Sequence, residues 1–319
     1  MLPKTTRLTA ALIKALLFVQ LPAHAIAQIP MPAVQYTSLP RQVSAAHLQP
    51  PSTEFNAIDI NRLAQAETPQ PVVPVPPLPS ALPEPFSPDG QGILGLYPEA
   101  DDDIGVGHLR PANLSFFETS NSDPSGVLRG AGWLSQIAIP LYAGPDGDHW
   151  GWLIRGWLIP NGYDPIAVGR DASFVMLHTF YDVFSFPVME IRPDGWFRFQ
   201  YSSAGTVWAH TSQLGLGQLD LVVEPWENRF AEASQLYFRN VGAVYALRSE
   251  PDSDRTPISS VGSDSLIEPV EFLGDWMRVR VTQPAEGCRL LPEARTLEGW
   301  MRWRTTQQDI RIWFPPSGC

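Results

Sequence analysis

Few side chains in this sequence have the types and spacing that enzymatic chemistry requires. Asp182 follows His178 by four residues, an order that would suit a general base and the carboxylate that orients it. If this segment is a strand, however, the two residues lie about 13 Å apart on one face, too far to hydrogen-bond. The sequence contains no glycine-rich phosphate loop, nucleophile elbow or zinc-protease motif. We therefore interpret His178 as an ordinary strand residue and predict no catalytic residues.

Metal and thiol chemistry have no better support. The acidic run 101–103 would attract calcium, but it lacks alternating ligands and a supporting glycine, and we interpret it as a solvated loop. The two cysteines are Cys288 and Cys319, and no histidine follows His210. We predict no metal site and no cofactor. An even cysteine count in an exported chain indicates a disulfide between Cys288 and Cys319, with two free thiols as the alternative.

The N-terminal 27 residues have the features of a signal peptide. Lys4, Arg7 and Lys14 precede an apolar run, and Ala25-Ile26-Ala27 fits a small-x-small cleavage site. No later stretch approaches the 18 apolar residues that a spanning helix needs. The sequence therefore predicts a signal peptide over residues 1–27, a periplasmic or secreted location, and no membrane insertion of the mature chain.

The charge balance narrows the possible partners. The chain has 33 acidic and 22 basic residues and a net charge of −11, and removal of the N-terminal bases would make it more negative. Nucleic acids and anionic lipids repel such a protein. We expect no nucleic-acid partner.

Proline is concentrated in the front part of the chain, and tryptophan in the rest. Of the 33 prolines, 15 fall between Gln28 and Pro98, whereas all 11 tryptophans lie at or beyond Trp133. Proline fixes φ and favours polyproline II. Residues 28–91 are therefore predicted to be a disordered proline-rich tether, a solvated linker or else a ligand for a proline-recognising groove.

Beyond residue 92 the sequence alternates between short strand-like runs and turns such as Pro145-Asp146-Gly147 and Pro193-Asp194-Gly195, which predicts an all-β fold. Period-2 alternation puts Trp196, Trp276 and Trp300 on the polar side of their strands. Aromatic rings in that position either line a binding surface or lie beneath a neighbouring segment. Both possibilities remain open from the sequence.

Two segments share an order of features: a leucine-containing strand, a proline turn, a tryptophan-led strand and a glycine-led closing strand. The first copy has Leu141, Pro145, Trp196 and Gly205-Thr206-Val207-Trp208; the second has Leu247, Pro251, Trp276 and Gly299-Trp300-Met301-Arg302. This order resembles the bacterial SH3 domain. The resemblance is clearer over residues 245–304 than over 130–214, where Thr206 occupies the position at which the family usually has tryptophan.

The resemblance implies two SH3-like β-barrels, over residues 92–225 and 226–319. The first would be enlarged by a hairpin over residues 149–174 that turns at Asn161-Gly162. It also implies a noncatalytic binding or scaffolding protein of the bacterial cell envelope, whose partner is a cell-wall peptide or an envelope protein. The alternative is an envelope enzyme or hydrolase accessory with a site in residues 92–174. The candidate ligand-binding residues are Trp196, Trp208, Trp276, Trp300, Arg278 and Arg302.

Overall fold

Alternating apolar and polar residues, separated by Gly, Pro and Asp turns, make strands the main regular element of this chain. The computed structural model describes residues 73–115 and 129–314, all within the unit Ala64–Cys319. Over these residues the protein is mostly β, which confirms the predicted all-β class. The predicted signal peptide and residues 28–72 lie outside the described residues.

Most strands are short because turn residues interrupt them, but two near the C-terminus are long, with 11 and 14 residues. Helix α1 spans Trp226–Ala231, and 3-10 helices span Gly132–Gln136 and Thr211–Gln213. In chain order the described strands are β1 (Ile93–Leu94), β2 (Gly107–Pro111), β3 (Ala138–Tyr142), β4 (His149–Ile154), β5 (Trp157–Pro160), β6 (Ile166–Ala167), β7 (Phe174–Val175), β8 (Leu177–Phe180), β9 (Val183–Ile191), β10 (Trp196–Gln200), β11 (Thr206–His210), β12 (Leu221–Pro225), β13 (Tyr237–Phe238), β14 (Tyr245–Leu247), β15 (Ser259–Val261), β16 (Leu266–Leu273), β17 (Trp276–Glu286), β18 (Arg289–Arg302) and β19 (Ile312–Trp313).

The first region, up to β12, is built on one ten-stranded sheet. Its strand order is β12-β2-β9-β10-β11-β3-β4-β5-β6, and β8 pairs with β9. This path has two ends, β12 and β6, and the described sheet does not close on itself. Apolar side chains from one face, among them Ile139, Leu153 and Phe197, form the first core. The predicted turns at 145–147 and 193–195 join β3 to β4 and β9 to β10.

The hairpin predicted over residues 149–174 does not turn at Asn161-Gly162. β4 and β5 are joined instead by Arg155 and Gly156, with Ile154 opposite Trp157. Both turn residues have positive φ, 54° and 80°, as a two-residue turn that matches strand twist requires. A Cβ on Gly156 would also clash with the Phe86 carbonyl oxygen. Asn161-Gly162 lies one turn later, between β5 and β6.

The second region has a three-stranded sheet in the order β16-β17-β18 and two-stranded pairs β14–β15 and β13–β19. Met277, Val279 and Met301 are fully buried in its core, on the opposite strand phase from Trp276 and Trp300. Ile104 and Leu177 of the first region join this second core. The two regions are therefore in contact, and the predicted division after residue 225 stays a prediction.

Residues 73–91 differ from the predicted disordered tether. They form no helix or strand, and Phe86 N–H donates to the Arg155 carbonyl oxygen at 2.9 Å. Side chains of the first sheet and of the 3-10 helix Thr211–Gln213 donate hydrogen bonds to the carbonyl oxygens of Val73, Pro74, Pro77 and Glu84. These contacts give the segment a fixed position that composition alone does not reveal. We refer to residues 73–86 as the strap.

Candidate functional site

Four of the six predicted ligand-binding residues come together on β17 and β18. Trp276 lies directly opposite Arg302, and Arg278 lies opposite Trp300, in neighbouring rows of the antiparallel pair. All four side chains are half-buried. We call these residues the Trp–Arg face. The face exists because period-2 alternation sends them to the side opposite the core residues Met277 and Val279.

Both arginines of the Trp–Arg face already have acidic partners. Arg278 lies 3.0 Å from Glu271 and 3.7 Å from Glu298, and the Arg302 guanidinium lies 3.6 Å from Asp275. Arg302 also stacks over the Trp276 ring at 4.6 Å. The face therefore presents aromatic planes and charge-paired guanidinium groups rather than an open anion site.

The other two predicted residues, Trp196 and Trp208, lie on β10 and β11 of the first sheet. Arg198 is opposite Trp208, and Trp196 is opposite His210. Trp196 is only 2% exposed, and its ring packs edge-on to Tyr142 at 5.0 Å and to His210 at 5.1 Å. Of the two possibilities left open for Trp196, the structure shows burial beneath neighbouring groups.

The register between strands changes how the two copies correspond. Arg198 faces Trp208 across β10–β11, just as Arg278 faces Trp300 across β17–β18. Trp208 therefore occupies the position of Trp300. The sequence order instead put Thr206 there, because it aligned Gly205 with Gly299, and Gly299 lies inside β18. Cross-strand register was the information that the sequence comparison lacked.

A second candidate surface was not predicted from the sequence. Three side-chain donors hold the strap by its carbonyl oxygens: two lie on the outer face of the first sheet, and the third lies in the 3-10 helix Thr211–Gln213. Trp152 Nε1 donates to Pro77 at 3.2 Å and Trp157 Nε1 to Glu84 at 2.9 Å. Gln213 Nε2 lies 3.3 Å from the Val73 oxygen and 3.2 Å from that of Pro74. The sequence does show the proline run and the later tryptophans. It does not show that Trp152 and Trp157 bind the carbonyl oxygens of that run, because this contact forms only in the tertiary structure.

The Gln213 amide also bonds the Tyr142 hydroxyl, which connects the strap to the rings around Trp196. Burial raises the pKa of Tyr142, and the hydrogen bond with Gln213 opposes that rise. The phenol therefore stays neutral at ordinary pH and serves as donor and acceptor to one amide. This end of the surface is built for hydrogen bonding rather than for charge.

A buried polar cluster lies where the two regions meet. His108 Nε2 is 2.7 Å from Glu224 Oε2, Arg110 Nε donates to the same oxygen at 2.6 Å, and the His108 ring stacks on Trp226 at 4.6 Å. Burial lowers the pKa of His108 even though Glu224 opposes this. Burial would raise the pKa of Glu224, but hydrogen bonds from His108 and Arg110 outweigh it and hold the value at about 2. The cluster joins β2 to β12 and α1, a structural role.

The remaining candidates for chemistry have ordinary partners. His178 contacts the Tyr97 hydroxyl at 3.2 Å and the Tyr181 carbonyl oxygen. In the acidic run 101–103, the Asp102 carbonyl oxygen accepts from Arg239 at 2.6 Å. Of the alternative enzyme segment 92–174, residues 116–128 lie outside the described residues. Cys288, at the exposed turn between β17 and β18, is disulfide-bonded. Cys319 lies outside the described residues, so their pairing stays a prediction.

Within residues 73–115 and 129–314, no group of three or more His, Cys, Asp or Glu side chains is arranged to hold a metal ion. In the same part of the chain, no helix has the length and apolar character needed to cross a membrane. Comparison of the chain with protein-family models gives no match, and a search among curated proteins gives none either.

Proposed function

We propose that this protein is an exported, noncatalytic binding or scaffolding protein of the bacterial cell envelope, periplasmic or secreted. Its partner is a cell-wall peptide or an envelope protein. The observation that carries the proposal is the Trp–Arg face, where Trp276, Arg278, Trp300 and Arg302 form two adjacent cross-strand pairs. Tryptophan and arginine are among the residues enriched at the centres of protein interfaces.

The ion pairs of the face favour one kind of partner over another. A carboxylate ligand would have to displace Glu271 or Glu298 from Arg278, and Asp275 from Arg302. A ligand that stacks on the indole planes and uses neutral hydrogen bonds leaves these pairs intact. An envelope protein that presents an uncharged, extended segment therefore fits the face better than an anionic wall peptide does.

We further propose that residues 226–319 form an SH3-like barrel. In support, β14–β15 and β16–β17–β18 surround one apolar core, and Arg248, just after β14, bridges to Trp300. For residues 92–225 the support is confined to the β10–β11 hairpin, which repeats the cross-strand pairs of β17–β18. The first SH3-like barrel would then be part of a larger sheet.

Capture from envelope extracts tests the proposed function. The full chain and the double variant Trp276→Ala, Trp300→Ala are immobilised and exposed separately to solubilised envelope proteins and to purified peptidoglycan. We expect the wild type to retain one defined partner and the double variant to lose at least tenfold of that binding. Tyr163→Ala, which removes an aromatic side chain that is 77% exposed outside the face, is the matched control.

Retention that is equal for wild type and double variant, when both are folded by circular dichroism, would show that the Trp–Arg face is not the binding surface. Binding only to peptidoglycan would place the partner in the wall and would contradict the preference for a protein.

A further inference from the structure

The burial pattern of the strap has a period of three. Over residues 73–82, Val73, Pro76, Pro79 and Leu82 are half-buried, and the two residues in each interval between them are exposed. A polyproline II helix has three residues per turn, so every third side chain lies on one face. The pattern is the one expected of a polyproline II helix that lies with one face on the sheet.

The sheet supplies what such a helix needs. Proline lacks an N–H group, so a proline-rich segment offers mainly carbonyl oxygens, and its receptor must provide donors. The donors here are the indole N–H groups of Trp152 and Trp157 and the side-chain amide of Gln213. Leu82 packs against an apolar cluster that includes Trp152 and Ile154. Aromatic donors beside apolar contacts are the features by which proteins recognise polyproline II peptides.

The far end of the strap is held by an aromatic and cationic contact. The Phe86 ring lies 5.9 Å from the Trp157 ring, and the Arg170 guanidinium lies within 5.1 Å of both ring centroids. This contact follows the last proline of the strap and marks its end on the sheet. The donors, the apolar cluster and this contact together define a site that extends from Val73 at one end to Phe86 at the other.

The contact between strap and sheet is incomplete. Val75 is 53% and Leu78 is 57% exposed. A cavity of about 560 Å³ is lined by Leu78 and Leu82 of the strap, by Ala138 of β3 and Ile154 of β4, and by the loop at 216–218. A segment that belonged to the core would be packed more densely than this. The strap therefore resembles a bound peptide more than a strand of the domain.

We propose that the outer face of β3, β4 and β5 is a recognition site for proline-rich peptides in the polyproline II conformation, occupied in this chain by its own residues 73–86 as a displaceable ligand. The site is separate from the Trp–Arg face and does not depend on the proposed function. Free peptides of the same chemistry compete with the strap, which holds the advantage of being tethered.

The test uses the full chain and a fluorescein-labelled peptide with the sequence of residues 73–86. In the variant Pro76→Gly, Pro79→Gly, two rings are lost from the buried face of the strap. The matched control, Val75→Gly, Ser80→Gly, loosens the chain at two exposed residues of the strap that are not among the four carbonyl acceptors. By fluorescence anisotropy we expect the first variant to bind the peptide at least tenfold more tightly than the wild type, and the control to bind like the wild type.

Two further arms identify the site. Adding Trp152→Phe to the first variant removes one donor, and we expect roughly five- to tenfold weaker peptide binding. A peptide of scrambled order that separates the prolines should not bind. If the first variant is folded but binds no better than the wild type, or binds both peptides equally, the proposal is wrong.

A second measurement covers the case in which loosening the strap prevents folding. A protease site inserted after Asp89 of the wild-type chain allows the strap to be cut after folding, so that only noncovalent contacts hold it. We expect excess peptide to displace the cut fragment from a body that stays folded in size-exclusion chromatography. A fragment that resists displacement, a body that unfolds on release, or a strap-dependent dimer would overturn the assignment.

Discussion

The hairpins β10–β11 and β17–β18 carry the same kind of cross-strand pairs and have different surroundings. In each, an arginine faces a tryptophan, Arg198 with Trp208 and Arg278 with Trp300. The tryptophan that begins the first hairpin, Trp196, is buried, but its counterpart Trp276 is only half-buried. Strand phase therefore decides on which face a ring lies, and neighbouring segments decide whether that face is accessible.

The cover over the first hairpin comes from two sources. β3 pairs beside β11, with Tyr142 opposite Trp208, and it places the Tyr142 ring against Trp196. Gln213 then links Tyr142 to the start of the strap. Within the described ranges 73–115 and 129–314, the second hairpin has β16 on one side and the isolated bridge from Arg248 to Trp300 on the other. The same local sequence pattern thus serves packing in one region and leaves a candidate binding surface in the other.

The sharpest test of strand phase in the second hairpin is Val279→Asp. Val279 is fully buried among Met277 and Met301, and a carboxylate there would lose its hydration without a partner. We expect a loss of about 4 kcal/mol or more in the free energy of unfolding, enough to unfold the second region. Urea denaturation followed by circular dichroism measures it. A loss below 1 kcal/mol would mean that the phase is reversed.

The contrast between the two leading tryptophans is tested by alanine substitutions. Trp196→Ala should cost about 3 kcal/mol, because it leaves a cavity beneath Tyr142, whereas Trp276→Ala should cost about 1 kcal/mol. Urea melts of the two variants compare them directly. If the two variants lose the same free energy of unfolding, Trp196 and Trp276 do not differ in burial as the structure indicates.

Acid tests the polar cluster where the two regions meet. The pKa of Glu224 is held at about 2, below its ordinary 4.5, so its stabilisation is present above pH 4.5 and is lost as pH falls towards 2. Burial lowers the pKa of His108, so below pH 6.5 the unfolded chain binds a proton there more readily than the folded chain does. The free energy of unfolding therefore also falls as pH falls below 6.5. We expect Glu224→Gln to cost about 2–3 kcal/mol at pH 7 and to flatten the unfolding free energy between pH 4.5 and 2.

Urea titrations of the wild type and Glu224→Gln at pH 7, 5 and 3 provide the measurement. Glu271→Gln, which removes an exposed partner of Arg278, is the control and should change stability by less than about 1 kcal/mol. If the free energy of unfolding of Glu224→Gln falls with pH as steeply as that of the wild type, other carboxylates cause the acid sensitivity.

The smallest expected effect concerns the strap. Leu82→Ser removes a side chain packed on the Trp152 cluster and should cost about 1 kcal/mol, while Leu78→Ser, at an exposed position, should cost about 0.3 kcal/mol or less. Thermal melts of the full chain compare the two. Equal melting temperatures would argue against the three-residue burial period.

Much of the molecule follows from local sequence patterns. Turn residues at 145–147 and 193–195 predict the ends of strands, because proline, aspartate and glycine supply the backbone angles that such turns need. Alternation predicts that Met277 and Val279 are core residues and that Trp276 is not. The grouping of four candidate residues on β17 and β18 follows from the same alternation, once the two strands pair.

Other features depended on long-range pairing. The hairpin turn at Arg155-Gly156 lacks a strong turn sequence, and the Asn161-Gly162 signal was placed between β5 and β6 instead. Trp208 corresponds to Trp300 only when the pairing register of the two hairpins is known. A slip of one residue in that register would move each side chain to the opposite face of the sheet. The buried pairing of His108 with Glu224 joins residues far apart in sequence, and no local pattern marks it.

The sequence by itself determined the mostly β class and the faces on which the side chains around Trp196, Trp276 and Trp300 lie, because backbone geometry and turn propensity act over a few residues. Only the tertiary structure decided that residues 73–86 lie on the first sheet and that Trp196 is covered while Trp276 is half-exposed. The composition of a proline-rich segment predicts that it cannot form a hydrophobic core of its own. Composition alone does not show that another part of the chain supplies the hydrogen-bond donors and apolar contacts that fix the position of this segment.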